Sequence, residues 1–239
     1  MITDAGGVEL ADGRRMLTGM LYRISGALAG GGELAELERT GVKTVVDLRA
    51  EFEDRATVVD WAEARGVGYF NYPIVVGGFK NGRFDDIMVA IREGRAAEEL
   101  RSVYGDLALN FGPQLAAGFE RLSEGFPAGF GCAAGKDRTG VMTAYLHVLL
   151  GATEETAVAA YLDKAPSVEQ LRPQMQQLYD IAPDGEISEG MMLFMAVQPS
   201  SIEHAFDRVR ERGGVEQFLR DSGLSGAAIE RLRDALISD

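Results

Sequence analysis

The stretch Gly131-Cys132-Ala133-Ala134-Gly135-Lys136-Asp137-Arg138-Thr139-Gly140 constrains this chain more than any other. Before it, residues 126–130 form a short aromatic-bearing run suited to a buried strand. After it, residues 139–150 are apolar enough for a core helix. The stretch therefore joins a strand end to a helix start, which is where a phosphate prefers to sit. Five residues separate Cys132 from Arg138. That spacing lets the backbone between them curl with its N–H groups inward, Gly135 being free to take a positive φ. Thiolate and guanidinium then face one tetrahedral anion.

A free thiol has a pKa of roughly 8.5, and a helix amino terminus with nearby cations lowers it toward a neutral-pH nucleophile. Lys136 and Arg138 are the cations at hand. Arg138 offers the planar fork that matches phosphate oxygens, whereas a lysine would offer a point charge. Thr139 is placed to hydrogen-bond the sulfur and ease its departure. Attack by Cys132 on phosphorus gives a cysteinyl-phosphate that water hydrolyses, splitting one difficult displacement into two. The reading requires no metal and no cofactor.

Composition narrows the classes. A chain of 239 residues, 46% of them hydrophobic, can bury a sizeable core and is expected to form one domain over 1–239. A formal charge of −13 argues against nucleic acid or stable association with an anionic membrane surface. One cysteine and two histidines exclude a disulfide framework and disfavour a multi-ligand metal site. Residues 1–13 lack the basic start and apolar run of a signal peptide, and no apolar stretch is long enough to span a bilayer, so a soluble, cytoplasmic protein is expected.

Along the chain, Gly6-Gly7 and Asp12-Gly13 predict a small hairpin from 8–10 and 16–22. A helix over 33–40 stops at Gly41 and leads into a β-branched strand over 42–48. Asp47 and Arg49 fall at that strand's carboxyl end, the edge where open α/β sheets bind ligands; a plain salt bridge is the other reading. An exposed helix is expected over 51–65, then a strand over 67–75 with Pro73 favouring an edge or exit. The loop 77–83 carries Lys80 and Arg83 as a possible substrate clamp. Helices follow over 87–91 and 96–124, the latter broken at Gly112-Pro113. Beyond the phosphate loop, Thr153 starts one helix, Ser167 with Gln170 forms a capping box for another, Ser200 with Glu203 caps a third, and two amphipathic helices end near Leu236. Met191 to Met195 reads as core filler or as part of a mobile lid within 164–199. Strands alternating with helices before residue 131, and helices only after it, give an α/β sheet with a helical carboxyl-terminal part.

The loop residues 134–140 resemble the signature of the bacterial tyrosine-phosphatase family of broad specificity, whose mycobacterial secreted members act on phosphotyrosine, phosphoserine or phosphothreonine, and phosphoinositides. Asp12-Gly13-Arg14-Arg15, Leu21-Tyr22-Arg23 with Ser25-Gly26-Ala27-Leu28, residues 41–49, Gly213-Gly214-Val215-Glu216 and Gly223-Leu224-Ser225 resemble its other segments. The resemblance implies a cysteine-phosphatase-like central sheet flanked by helices, Cys132 as nucleophile and Arg138 as transition-state clamp. It makes Asp137 the general acid with Asp47 a second candidate, and Lys136 a contact to phosphate or a further acidic group. Ala133, Ala134, Gly135, Thr139, Gly140 and Arg49 complete the expected phosphate and substrate contacts.

Two departures from the family pattern stand out. Gly131 occupies the position of a histidine that orders the loop, so a less supported thiolate and slower turnover are expected. Residues 2–7 lack the arginine of the corresponding family segment, which weakens the case for phosphoinositides. The expected substrate is a phosphoprotein, the alternative a small biosynthetic phosphate such as a nucleotide or sugar phosphate. A non-catalytic phosphate-binding module is the outsider.

Overall fold

In the computed structural model, residues 1–25, 32–75, 83–178, 182 and 185–238 are described. Five strands form one sheet: β1 (Ile2–Asp4), β2 (Leu21–Ser25), β3 (Thr44–Asp47), β4 (Gly68–Asn71) and β5 (Ala128–Cys132), in the order β1-β2-β5-β3-β4. All neighbours run parallel except β1, which pairs antiparallel with β2. The central strand β5 and its neighbour β3 are buried throughout, as strands covered on both faces of a parallel sheet must be. Their β-branched and aromatic residues suit that position, and β4 takes the edge that Pro73 anticipates.

Helices cover both faces. On one side α1 (Gly32–Arg39) and α2 (Ala56–Arg65) bury Leu37, Val58 and Trp61 against Ile24 and Val45. On the other lies the larger core, built on α4 (Ala96–Asn110), α5 (Gly112–Leu122) and α6 (Asp137–Leu149). A short α3 (Arg83–Arg92) precedes them. The chain then continues as helices among the described residues: α7 (Glu154–Lys164), α8 (Val168–Leu178), α9 (Glu189–Met195), α10 (Pro199–Arg210), α11 (Val215–Asp221) and α12 (Gly226–Leu236). The helix α6 is apolar around its whole circumference, so it can only be a core helix. Its amino terminus meets the carboxyl end of β5, which puts the loop 133–136 at the ligand edge of the sheet.

Most expected elements are present with shifted ends. The break at Gly112-Pro113 separates α4 from α5, with the proline in the first helical turn where it loses no bond. Ser167 and Gln170 form the reciprocal capping box, Gln170 Oε1 accepting from Ser167 N at 2.8 Å and Ser167 Oγ from Gln170 N at 3.3 Å. Three readings need correction. Residues 8–16 reverse in a hairpin with one bridge, Glu9 to Arg15, but its return arm does not continue to residue 22; the sheet strand starts afresh at Leu21. Residues 51–55 turn before α2, held by Ala50 N donating to Glu53 Oε2 at 2.7 Å and Arg49 Nη1 to the Asp54 carbonyl at 2.6 Å. Ser200 caps nothing: Gln198 is the cap residue and Pro199 opens α10. The loop 77–82, residues 179–181 and residues 183–184 lie outside the described residues, and with them much of the clamp and part of the lid region.

One fully buried polar group belongs to the core of this fold. His147 on α6 donates from Nε2 to the Ala5 carbonyl at 3.0 Å, and Nδ1 has no partner. Burial pushes its pKa down to about 4, so it stays neutral. An unfolded histidine binds its proton near pH 6.5, so between about 6.5 and 4 the unfolded chain holds more protons than the folded one. Stability is complete above that window and falls as the pH drops through it. We expect His147→Gln, which keeps a donor for Ala5, to reduce the stability lost between pH 7 and pH 5 by about 2 kcal/mol, measured by urea unfolding at both pH values.

Candidate active site

The phosphate loop is built from a strand that cannot carry a side chain where it passes β2. A Cβ added at Gly131 would stand 2.1 Å from the Ile24 carbonyl oxygen, and one at Gly129 2.7 Å from the Ile24 Cδ1. Glycine at 131 is thus a condition of the close approach of β5 to β2, where Gly131 pairs with Ile24 and Cys132 with Ser25. Gly135 has φ +69°, and a Cβ there would lie 2.4 Å from the Ser25 Cβ. Only glycine satisfies both conditions at that turn of the loop.

Cys132, the chain's single cysteine, ends β5 almost fully buried, and its sulfur accepts a hydrogen bond from Thr139 Oγ1 at 3.1 Å. Thr139 is held in turn because Thr143 Oγ1 donates to its carbonyl at 2.7 Å. Arg138, in the first turn of α6, is clasped by Glu53: Nη1 to Oε2 at 2.6 Å and Nη2 to Oε1 at 3.0 Å. Nη1 also reaches the Leu48 and Ile74 carbonyls, both at 3.3 Å. Burial would lower the Arg138 pKa, but the fields of Cys132 and Glu53 outweigh it and hold the guanidinium above the usual arginine range. Burial likewise raises Glu53 while the Arg138 hydrogen bonds prevail, keeping it a carboxylate. Glu53 carries no motif of its own, and its role was invisible in the sequence; only the folding of the turn after β3 brings it to a residue 85 positions away.

The two aspartates differ sharply. Asp47 is fully buried, accepting from Arg49 N at 2.8 Å, Arg49 Nη2 at 2.9 Å and Tyr69 Oη at 2.7 Å. Arg49 is spent on the same cluster, its Nη1 donating to the Asp54 carbonyl at 2.6 Å. This pair therefore ties the start of the turn to its end, and the turn carries Glu53. Of the two readings of Asp47 and Arg49, the geometry is that of a salt bridge, although a buried one. Asp137 is partly exposed beside the loop, 2.7 Å from Lys136 Nζ and hydrogen-bonded by Tyr104.

Lys136 is itself buried, donating to the Phe194 carbonyl at 3.0 Å and lying 5.5 Å from the Phe194 ring. Met191 and Met195 of α9 pack with Ile87, Ile91 and Leu171, and Ala134 of the loop packs against that cluster. The segment Met191 to Met195 thus contributes to an apolar cluster and touches the loop through Lys136 and Ala134.

Behind the loop lies a polar cluster that motif reading did not find. Arg23, on β2 and 2% exposed, donates from Nη2 to the Gly135 carbonyl at 3.1 Å, and Ser25 Oγ donates to the Ala134 carbonyl at 2.6 Å. Tyr104 and Tyr161, both fully buried, hydrogen-bond each other hydroxyl to hydroxyl beside them. Burial and the neighbouring Asp137 charge raise both phenols.

Comparison with known proteins agrees with this geometry. Residues 3–238 match the tyrosine phosphatase family. The chain belongs to that family. It is 30% identical over 227 residues to a Cupriavidus necator protein provisionally named a tyrosine-protein phosphatase, a match covering 92% of this chain and 80% of that one. It is also 32% identical over 128 residues to the triple specificity protein phosphatase PtpB of Mycobacterium tuberculosis, covering 48% of this chain and 46% of PtpB. Membership carries cysteine-based phosphatase chemistry and a phosphorylated substrate. Among the described residues, no helix is long and apolar enough to cross a membrane.

The steric finding at Gly131 is directly checkable. A side chain there must push β2 and β5 apart, an overpacking that costs about 1–3 kcal/mol. We therefore expect Gly131→His to lower the thermal midpoint and the activity together; higher activity at unchanged stability would show that the strand approach is not limiting.

Proposed function

We propose that this phosphatase hydrolyses phosphotyrosine and related phosphomonoesters on proteins, over one domain comprising residues 1–239, with α9 part of a lid over the site. The observation that carries the reading is the Thr139 hydroxyl on the Cys132 sulfur, with Arg138 clasped by Glu53 in the first turn of the same helix. Cys132 attacks phosphorus, and Arg138 with the loop N–H groups of residues 133–138 binds the equatorial oxygens; the Gly140 N–H, expected among these contacts, is spent on the Lys136 carbonyl at 2.9 Å. Asp137 protonates the leaving oxygen, then takes a proton from the attacking water as the cysteinyl-phosphate is cleaved. Thr139 stabilises the sulfur as it leaves. Both aspartates have a cationic partner and a phenol, so the choice of Asp137 over Asp47 rests on exposure: the Asp137 side chain is 27% exposed beside the loop, whereas Asp47 is fully buried. Asp47 and Arg49 serve instead to shape the turn that carries Glu53. Lys136 neutralises the loop and joins it to α9.

The protein substrate class is supported by the relatives' names and by apolar residues near the loop, Phe52 beside Glu53 and Met192 and Leu193 on α9, which remain exposed. Such surroundings suit an aromatic leaving group better than a nucleotide or sugar phosphate. A panel of phosphotyrosine, phosphoserine and phosphothreonine peptides beside phosphoinositides and nucleotide and sugar phosphates tests this, and preference for a nucleotide or sugar phosphate would overturn it.

Hydrolysis of an aryl phosphate should be vanadate-sensitive, indifferent to chelators and absent in Cys132→Ser. Asp137→Asn should slow phenyl phosphate far more than 4-nitrophenyl phosphate, because a good leaving group needs little protonation. Equal loss on both esters would remove Asp137 from the acid role.

A further inference from the structure

The guanidinium of Arg23 is unusually expensive to keep where it is. It is 2% exposed and its Nη2 is satisfied by Gly135, yet Nε and Nη1 have no hydrogen-bond partner. Buried side-chain donors are almost always paired, and an underpaired buried cation is destabilising enough that an apolar side chain of similar volume often replaces it at no loss. Stability does not account for Arg23, so its position must serve the site.

Its position is specific. Residues 23 and 25 share one face of β2 by the two-residue period of a strand, and in the parallel register Ser25 stands opposite Cys132. From that face Ser25 holds the Ala134 carbonyl and Arg23 the Gly135 carbonyl. In a trans peptide the C=O and the following N–H point in opposite directions. Drawing these two carbonyls toward β2 therefore turns the N–H groups of Gly135 and Lys136 the other way, into the curl of the loop. No side chain can do this from within β5, since Gly131 has no room for one. Support for the loop has to come across the sheet.

We propose that Arg23 is a positioning residue for the phosphatase reaction, locking the loop in its anion-binding form through Gly135 and supplying, from behind, positive charge that favours the Cys132 thiolate. The inference rests on the phosphatase reading above. Burial lowers the Arg23 pKa to about 10, so it remains a cation at neutral pH, and Cys132 is among the groups whose fields hold it there. The other groups facing this pair are Tyr104 on α4, Tyr161 on α7, Asp137, Arg138 and His147 on α6, and, through Arg138, Glu53 on the turn after β3. The two phenols are raised by burial and His147 is neutral, so near neutral pH none of these three changes charge and the sulfur is left as the group that Arg23 tunes.

The single cysteine makes the test clean. The rate of Cys132 alkylation by iodoacetamide is followed against pH, together with orthovanadate affinity, aryl phosphate kinetics and thermal midpoint. Arg23→Met should remain folded with its melting point little changed. Its alkylation midpoint should rise by about one pH unit, a tenfold fall in thiolate fraction below that pH. Vanadate binding should weaken at least about tenfold, and kcat should fall more than KM rises. Arg23→Lys should return the midpoint toward wild type while leaving vanadate binding weak, because the charge is restored without the fork. A folded Arg23→Met with unchanged midpoint and unchanged vanadate affinity overturns the proposal. Should that variant fail to fold, Arg23→Gln decides: it keeps a donor for Gly135 and removes the charge, and an unmoved midpoint there is equally fatal. Alkylation needs no turnover, so the two readings fail separately. A wild type that hydrolyses nothing but shows the midpoint shift sinks the phosphatase reading alone. Hydrolysis that Cys132→Ser abolishes, with no midpoint shift in Arg23→Met, sinks this one alone.

Discussion

The close approach of β5 to β2 is the contact on which the site depends. Two glycines in β5 let the strands run so near that the Ile24 carbonyl fills the space where a side chain at 131 would stand. From that approach follows the register that sets Ser25 opposite Cys132, and from the register follow the two carbonyl anchors that orient the loop. The loop is then supported from below by β2, in front by Thr139 and laterally by Glu53. Each support comes from a different part of the chain, so the anion cradle exists only once the sheet has formed.

A second constraint runs through the buried charges. Arg49 with Asp47 and Arg138 with Glu53 are paired, and their pairing joins β3, the following turn and α6 into one unit. A buried ion pair adds little net stability, but breaking it by removing one partner is costly, so such pairs fix geometry more than they add strength. Arg23 differs because its charge is left partly unmatched. The partly unmatched Arg23 behind the loop offers positive charge to an anion there, while Glu53 offsets that of Arg138 and holds its geometry, inside a protein whose net charge is −13. That charge is local, and the surface field does not set it.

The loop is also in direct contact with α9. Lys136 joins the loop to α9 by a hydrogen bond to a backbone carbonyl and by the face of Phe194, while Ala134 enters the apolar cluster of α3, α8 and α9. Methionine side chains adapt their shape cheaply, so this contact can be remade around different leaving groups.

Much of this was legible in the residues alone. The strand-loop-helix junction, the Cys132 to Arg138 spacing, the all-round apolar α6, the capping box at Ser167 and the break at Gly112-Pro113 are local signals, and local geometry decides them. The hairpin at the amino end was misjudged because turn signals fix a reversal and not where the next strand begins. The departure at Gly131 is visible in the residues, but its steric side is not, since that lies in the Ile24 carbonyl that approaches it across the sheet. The roles of Glu53, Arg23, Tyr104 and Tyr161 were not legible, because no spacing rule connects residue 53 with 138 or 23 with 135. Asp47 and Asp137 are both acids at the ligand edge of the sheet, and only their burial in the fold sets them apart. A few consecutive residues are enough to put a thiol and a guanidinium in one loop between a strand and a helix. Which charges are paired in holding that loop depends on burial, and burial is set by strands and helices distant in the chain.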